Sequence, residues 1–279
     1  MKAFGRFVFV LVLIAPFAAV SLVLTSRGTY CRAVASFCAA EPNSVDVLVV
    51  GSSHAYCTFN PIVLFRDFKI TSHVLATQSQ PLAATYHYVK LALKTQRPKV
   101  VVVESFMLTS DGVENVAATH DAVQSYPWTG DKLALIRDLK THDSKLYYYC
   151  TLPKFHSRWK ELLKWDFCTK FSRERDPYRG YKFYAKKAKV GPIDSNFGGT
   201  AVTPLNGESL EWLRRIVELV TNSGAKVLLV TAPYVVNRPG RYLALRDVSR
   251  VLNLEYLDLV ANAEQIGLSA TEDFCDWDI

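Results

Sequence analysis

Apolar and polar positions follow one another along the chain in blocks that predict alternating strands and helices. Uninterrupted apolar runs rich in β-branched residues predict buried strands at 46–50, 70–76, 99–104, 226–230 and 254–257. Apolar residues at helical spacing predict helices at 61–67, 81–95, 128–139, 208–221, 243–252 and 261–266. Because continuous apolar strands joined by helices are typical of parallel sheets, we expect an α/β fold, with about five parallel strands and helices on both faces.

The N-terminus carries an apolar segment of a different kind. Residues 7–24 contain no charge over 18 positions, and Lys2 and Arg6 precede them. A helix of that length spans about 27 Å, which is most of the hydrocarbon core of a bilayer. An uncleaved single-pass anchor is favoured over a cleaved signal peptide, because the Ala-x-Ala site lies late, behind Arg27 and Arg32. A buried N-terminal helix of a soluble domain is a third alternative.

These features predict a membrane anchor at 1–25, a tether at 26–44 and an α/β domain at 45–279, with an insertion at about 126–200. The insertion is basic, since 132–189 holds 16 Lys and Arg residues but only 6 Asp and Glu residues. The whole chain has a net charge of +7. Aromatic residues among these charges predict a helical subdomain core or, alternatively, the lining of a polymer groove.

A basic segment of this size attracts phosphate-bearing partners. Nucleic acid is disfavoured, because no helix-turn-helix, zinc or RNA-binding signature accompanies the charge. Anionic lipid, or an anionic cell-wall polymer or polysaccharide, fits a membrane protein whose globular domain lies outside the cytoplasm. A solvated charged surface without a partner is the alternative.

The six cysteines do not predict a metal site. They form no C-x-x-C pair and no spacing typical of zinc ligands. Cys31 and Cys38 are close enough in sequence to bridge a short loop on an oxidising side of the membrane. Small buried thiols are an equal alternative for this pair.

The candidate chemistry lies at the end of the first predicted strand, which stops at Gly51 and is followed by Ser52, Ser53 and His54. In open α/β sheets, ligands bind in the crevice at the carboxyl ends of the strands. A glycine lets the backbone turn tightly, and a small hydroxyl after such a turn is a candidate nucleophile. The alternative is a Gly-Ser turn that merely ends the strand.

The block Gly51-Ser52-Ser53-His54, with Asn60-Pro61 and Gln80-Pro81 behind it, resembles the SGNH/GDSL hydrolases. It is most similar to a membrane-anchored branch that has Gly-Ser-Ser-His in place of Gly-Asp-Ser-Leu. The resemblance covers 45–276 and implies a flavodoxin-like, three-layer sheet domain. It implies Ser53 as the nucleophile, with neither a metal nor an organic cofactor.

The same resemblance implies that a late Asp-x-x-His supplies the base that activates the serine. Asp276 matches the aspartate of this motif, but the position three residues further on is Ile279. The expected histidine is therefore missing, and we expect an interrupted C-terminal ending or an inactive relative. The other histidines are not expected to replace it, and His54 is expected to brace its loop.

The resemblance also implies donors for an oxyanion. The Ser53 backbone N–H is one candidate, and further site-lining residues are expected at Ser52, His54, Gln78, Ser79 and Gln80. The family offers an asparagine after the third strand, where this chain has Glu104-Ser105. The third donor is therefore not predicted.

Together these features predict a membrane-anchored SGNH-type O-acyl esterase or acyltransferase that acts on a cell-envelope polymer outside the cytoplasm. A membrane acyltransferase is a possible partner by resemblance to teichoic-acid D-alanylation and polysaccharide O-acetylation proteins. The alternative is a non-catalytic envelope protein that binds an anionic polymer or a membrane partner.

Overall fold

The computed structural model describes residues 2–24, 29–109, 115–150, 152–162, 176–184, 204–233, 239–269 and 273–274. Its centre is a five-stranded sheet in which each strand is parallel to its neighbours. The order is β2-β1-β3-β4-β5, with strands at Val47–Gly51 (β1), Ser72–Ala76 (β2), Val100–Glu104 (β3), Lys226–Thr231 (β4) and Glu255–Asp258 (β5). The predicted α/β fold with about five parallel strands is therefore confirmed.

Both faces of the central strands are buried. Successive side chains of a strand point to opposite faces of the sheet. Accordingly, Leu48 and Val50 of β1 belong to one core cluster, whereas Val49 packs with Val74 and Val102 in a second cluster. Burial on both faces explains why these strands appear in the sequence as continuous apolar runs.

Helices connect and cover the strands. In the described part of the chain they lie at Lys2–Leu24 (α1), Thr29–Cys38 (α2), Ser53–Thr58 (α3), Pro61–Phe68 (α4), Leu82–Ala92 (α5), Phe106–Thr109 (α6), Val116–Ser125 (α7), Gly130–Asp138 (α8), Leu146–Tyr149 (α9), Leu152–Phe155 (α10), Gly207–Asn222 (α11) and Pro239–Val251 (α12). A 3₁₀ helix spans His156–Glu161. The predicted start of α4 is confirmed, because the Asn60 Oδ1 atom accepts the N–H groups of Ile62 and Val63 as a cap.

The helix predicted at 261–266 is wrong, since the structure has turns there. The Asp258 Oδ1 atom accepts hydrogen bonds from the backbone N–H groups of Val260 and Ala261, each at 3.0 Å. An aspartate that bonds the backbone just after itself favours a turn. The apolar residues of this short segment therefore contribute to packing: Val260 is buried in the larger of the two core clusters, the one that contains Leu48 and Val50.

The stretch predicted as a tether, 26–44, contains helix α2. Val34 and Phe37 of this helix are buried in the larger core. The Nε2 atom of His73, on β2, lies 3.0 Å from the Ala33 carbonyl oxygen. The apolar residues at 33, 34 and 37 follow helical spacing, which was the signal for a packed helix. This stretch is therefore part of the α/β domain rather than a linker.

The described beginning of the predicted insertion at 126–200 also joins the main core. Tyr126, Leu135, Ile136 and Tyr148 are buried in the same cluster as the apolar residues of β1 and β3. The segment that follows α7 therefore packs with the sheet domain. Residues 163–175 and 185–203, which hold much of the basic charge, lie outside the described residues.

Helix α1 meets the rest of the chain at its C-terminal end. The Arg158 Nη1 atom donates to the carbonyl oxygens of Val23 and Leu24, at 3.3 and 3.2 Å. A basic side chain at this position satisfies the last carbonyls of a helix. Closer to the N-terminus, Phe4 and Phe9 are exposed. Among the described residues, no helix has the combination of length and apolar character that crossing a membrane requires.

The sequence left a Cys31–Cys38 bridge and small buried thiols as alternatives, and in the structure Cys38 is a free thiol. The Cys31 Sγ atom lies 3.7 Å from the Ser125 Oγ atom. Cys150 is also a free thiol. The bridge is therefore not formed, and the alternative of a buried thiol does not hold for Cys38, which is exposed.

Candidate functional site

The carboxyl end of β1 lies at the topological switch point of the sheet. β1 pairs with β2 on one side and with β3 on the other. The connection from β1 therefore leads to one side of the strand, and the connection from β2 leads back to the other side. This is the place where open α/β sheets form their ligand crevice. Gly51 ends β1, and Ser53 is the first residue of α3. The predicted nucleophile block therefore lies at the expected edge of the sheet.

Gly51 is required by its surroundings. Its φ is +154°, and a Cβ atom there would lie 2.6 Å from the Glu104 Cβ atom and 3.2 Å from the Ala55 Cβ atom. A contact of 2.6 Å is shorter than real Cβ atoms make. The Glu104 Cβ atom is fixed on the neighbouring strand β3, so it cannot easily move away. The glycine therefore lets β1, β3 and α3 approach closely at the tight turn that the sequence led us to expect.

Ser52 is held by a carboxylate that the sequence did not assign to the site. The Glu104 Oε2 atom accepts the Ser52 hydroxyl at 2.7 Å and the Ser52 backbone N–H at 3.2 Å. The Glu104 Oε1 atom accepts the Phe106 backbone N–H. All of these groups are buried or nearly so. Glu104 is a charged residue at the end of an otherwise apolar strand. This position was the signal in the sequence that could have assigned it to the site.

His54 braces the same turn. Its Nδ1 atom lies 3.2 Å from the Ser52 Oγ atom. Its ring packs on Phe106, with the ring centroids 4.2 Å apart. The histidine is buried. Ser52, His54 and Glu104 thus form one internal hydrogen-bonded cluster that fixes the turn.

Ser53 differs from Ser52 in its position. It begins helix α3, so its backbone N–H belongs to the first helical turn, whose N–H groups have no partner within the helix. That N–H is the donor that the sequence predicts for an oxyanion. The residue is 5% exposed, so the hydroxyl has little access to solvent in this conformation.

The loop after β2 places its three predicted residues in different environments. The Gln78 backbone N–H donates to the Tyr30 hydroxyl at 3.3 Å. Gln80 is fully buried, and its Nε2 atom donates to the Thr85 hydroxyl at 3.0 Å. Ser79 has a left-handed backbone, with φ of +40°, and it lines a cavity. Of the three, Gln78 is exposed to solvent, Ser79 lines the cavity and Gln80 is enclosed.

A lysine packs between two tyrosine rings near this loop. The Lys182 Nζ atom lies 3.4 Å from the ring centroid of Tyr30 and 4.5 Å from that of Tyr56. The two hydroxyls are 3.3 Å apart. Burial lowers the pKa of Lys182 to about 8. Cation–π contact compensates part of that burial, and the sequence distance between these residues explains why no pattern predicted the cluster.

A cavity of about 140 Å³ lies at the same edge of the sheet. Ser79 follows β2 and Met107 follows β3, and both contribute to its wall. β2 and β3 flank β1, so these two wall residues lie at the carboxyl edge of the sheet. The rest of its wall comes from the beginnings of α5, α7 and α11 and from the end of α8.

Three of the other histidines have partners away from the nucleophile block. The Nε2 atom of His87 lies 2.9 Å from Asp138 Oδ2, and that of His120 lies 2.9 Å from Asp143 Oδ2. His73 is bonded to the Ala33 carbonyl, and burial lowers its pKa to about 4. His142 and His156 are exposed. His73, His87 and His120 therefore have structural contacts, and the remaining two histidines lie on the surface.

The C-terminal part of the predicted site, with Asp276 and Ile279, lies outside the described residues. Shortly before it, Phe274 is buried, and the Asp273 Oδ2 atom accepts the Ser269 backbone N–H at 2.8 Å. Within the described part of the chain, no three His, Cys, Asp or Glu side chains converge as a metal site.

No family model matches the chain, and no curated protein matches it. The resemblance to SGNH hydrolases therefore depends on the residues of the nucleophile block and of the loops behind it. It gives an activity only as a proposal.

Proposed function

We propose that this chain is an SGNH-type O-acyl esterase or acyltransferase of a cell-envelope polymer, with Ser53 at the nucleophile position. As given it is inactive in this proposal, because position 279 is isoleucine where the resemblance implies histidine. The observation that carries the proposal is the turn from β1 to α3. Gly51, Ser52 and Glu104 hold Ser53 at the switch point of a parallel sheet, where such folds bind ligands.

The chemistry would use few groups of the chain. The Ser53 Oγ atom attacks the acyl carbonyl carbon while a base takes its proton, and the Ser53 N–H donates to the oxyanion. Collapse of the oxyanion releases the alcohol, which takes up that proton, and leaves an acyl-serine. Water or a glycan hydroxyl then attacks the acyl group, and its proton passes through the base to Ser53. By resemblance the base would be a histidine three residues after Asp276, where this chain has Ile279.

Association with a membrane through α1 belongs to the same proposal. The uncharged run 7–24 and the exposed side chains of Phe4, Phe9 and Phe17 support it. An exposed apolar surface of this kind normally has a partner. In this arrangement the sheet domain acts outside the cytoplasm on a polymer or with a membrane acyltransferase.

A non-catalytic envelope protein is the second candidate. Two observations favour it: Ser53 is almost entirely buried, and position 279 is isoleucine where the resemblance implies histidine. A protein of this kind would keep the fold and the basic segment and bind an anionic polymer without turning it over.

A fluorophosphonate probe distinguishes these two functions. We expect the chain as given to label at close to background, because losing one member of a triad costs about 10⁴–10⁶ in rate. Ile279→His should raise the labelling. In that background Ser53→Ala should abolish the labelling, whereas Ser52→Ala, the matched control, should retain it.

Labelling that survives Ser53→Ala would show that the nucleophile is a different residue. If Ile279→His leaves the protein unlabelled while its melting temperature equals that of the parent, the non-catalytic function is supported instead. Full turnover by the chain as given would show that another histidine is the base.

A further inference from the structure

The cavity that Ser79 and Met107 line at the carboxyl edge of the sheet combines polar groups with an apolar wall. Its apolar side comes from Leu82, Met107 and Trp212. Its polar side includes Asn206 and Asp138, together with the hydroxyls of neighbouring serine and threonine residues. A hydrocarbon ligand would leave these polar groups without partners, which is unfavourable. The wall therefore suits a molecule that has both an apolar face and hydrogen-bonding groups.

The charges of the wall argue against an anionic ligand. The charged residues that line the cavity are Asp138, Lys140 and Glu208. The single base is already paired, since Lys140 Nζ lies 2.8 Å from Glu208 Oε2. The Asp138 carboxylate is in turn ion-paired with Arg137, at 3.6 Å, so the wall offers no unpaired positive charge to a phosphate or carboxylate ligand.

Asp138 is held from behind by a buried histidine. The His87 Nε2 atom lies 2.9 Å from Asp138 Oδ2. Burial lowers the pKa of His87, so at neutral pH the ring is uncharged and donates its Nε2–H. The other carboxylate oxygen, Oδ1, has Arg137 Nε at 3.6 Å, which is beyond hydrogen-bond distance. This oxygen is available as an acceptor.

Asn206 supplies the complementary donors. Its Oδ1 atom accepts the Ser209 backbone N–H at 2.8 Å and caps α11. The Nδ2 group of such an asparagine keeps two N–H donors. The cavity thus offers a fixed acceptor, amide donors and hydroxyls around an apolar wall.

We propose that this cavity binds one neutral sugar residue through its hydroxyls, with Asp138 as acceptor and Asn206 as donor. Pyranose rings have hydroxyls that donate and accept, and C–H faces that pack on apolar side chains. The inference goes beyond the proposed function and does not rest on it. Binding itself does not require Ser53.

The test measures binding of methyl β-N-acetylglucosaminide and methyl α-glucopyranoside to the full chain, by saturation-transfer NMR and calorimetry. Asp138→Asn should weaken binding by about tenfold or more, because a hydrogen bond to a charged acceptor is lost. The matched control is Asp143→Asn, since Asp143 pairs with buried His120 at the same 2.9 Å but is not part of the cavity wall. It should change binding less than about twofold.

Asn206→Asp gives a second test that spares the fold. Aspartate caps a helix as well as asparagine does, but it lacks the amide donors and adds a negative charge. We expect weaker binding at an unchanged melting temperature. Ser53→Ala should bind both glycosides like the parent, which separates this inference from the proposed activity.

Three results would overturn the inference. One is a parent protein that binds neither glycoside. Another is equal loss of binding in Asp138→Asn and Asp143→Asn. The third is binding of ethanolamine without binding of either glycoside, which would show an amine site instead.

Discussion

At the scale of single residues, the Glu104 carboxylate accepts three hydrogen bonds at the carboxyl edge of the sheet. Two come from Ser52 and one from the Phe106 backbone. One buried side chain therefore links β3 to the turn after β1 and to the start of α6. Its loss would affect the position of Ser53 without removing any group that reacts.

Glu104→Gln is expected to destabilise the fold by about 1–3 kcal/mol, since the amide nitrogen of glutamine would face an N–H or O–H donor. Urea unfolding measures this difference. Glu211→Gln is the control, because Glu211 is exposed on α11. A loss below about 0.5 kcal/mol would show that the Ser52 turn does not depend on the carboxylate.

The buried His73 should make the stability of the fold depend on pH. Burial lowers its pKa to about 4 in the folded chain, against about 6.5 when unfolded. Between these values the unfolded chain binds the proton and the folded chain does not. The stability contributed by this residue is therefore complete above pH 6.5 and is lost as the pH falls toward 4.

His73→Gln should remove this contribution, because glutamine keeps a donor for the Ala33 carbonyl and does not titrate. The stability difference between parent and variant should shift by about 3 kcal/mol between pH 7 and pH 4. Urea unfolding at each pH measures it, with the exposed His142→Gln as control. Parallel stability curves for parent and His73→Gln would contradict the assignment.

At the scale of elements, the segment 176–184 attaches to the sheet through a glycine. Gly180 has φ of +90°, and a Cβ atom there would lie 2.0 Å from the Val74 carbonyl oxygen of β2. The Val74 N–H donates to the Arg179 carbonyl at 2.9 Å. This contact also positions Lys182 against Tyr30 and Tyr56.

Gly180→Ala should cost clearly more stability than Gly224→Ala. Gly224 has a similar φ of +85°, but a Cβ atom there meets nothing within 4 Å. The left-handed backbone alone costs about 1–2 kcal/mol for alanine, so the excess at Gly180 measures the clash. Hydrogen exchange of the Val74 amide should also speed up in Gly180→Ala. Equal losses in the two variants would mean that the segment does not pack closely on β2.

At the scale of the whole molecule, charge and exposed apolar surface are separated along the chain. The net charge is +7, and the excess lies in 132–189. The apolar side chains of α1 are exposed, with Phe9 at 68%. The two features predict different kinds of association, since salt screens charges and leaves apolar contacts in place.

Vesicle flotation should therefore show two components. Binding to neutral vesicles should persist at 1 M salt, where the screening length falls to about 3 Å. The extra binding to anionic vesicles should vanish there. Ile14→Lys, at an exposed residue near the middle of 7–24, should reduce the first component, because a lysine in the bilayer centre costs about 3 kcal/mol. Phe65→Lys, at an exposed phenylalanine of α4, should not, and loss of all binding at 1 M salt would contradict insertion of α1.

The sequence by itself determined the α/β class, the parallel strands and the place of the nucleophile block. Buried strands of a parallel sheet are apolar on both faces, so each appears as a continuous run that needs no partner to be recognised. The Asn60 cap was also predictable, because it depends on neighbours within a few residues. The need for glycine at position 51, by contrast, comes from Glu104 on the neighbouring strand.

Only the tertiary structure decided which distant groups meet at that edge. Glu104 reaches Ser52 because β3 pairs with β1, and Lys182 reaches Tyr30 because 176–184 packs on β2. The stretch expected to be a tether became α2, because its apolar residues found a core that other segments build. Contacts between residues far apart in the chain depend on how the elements pack, and no local pattern carries that information.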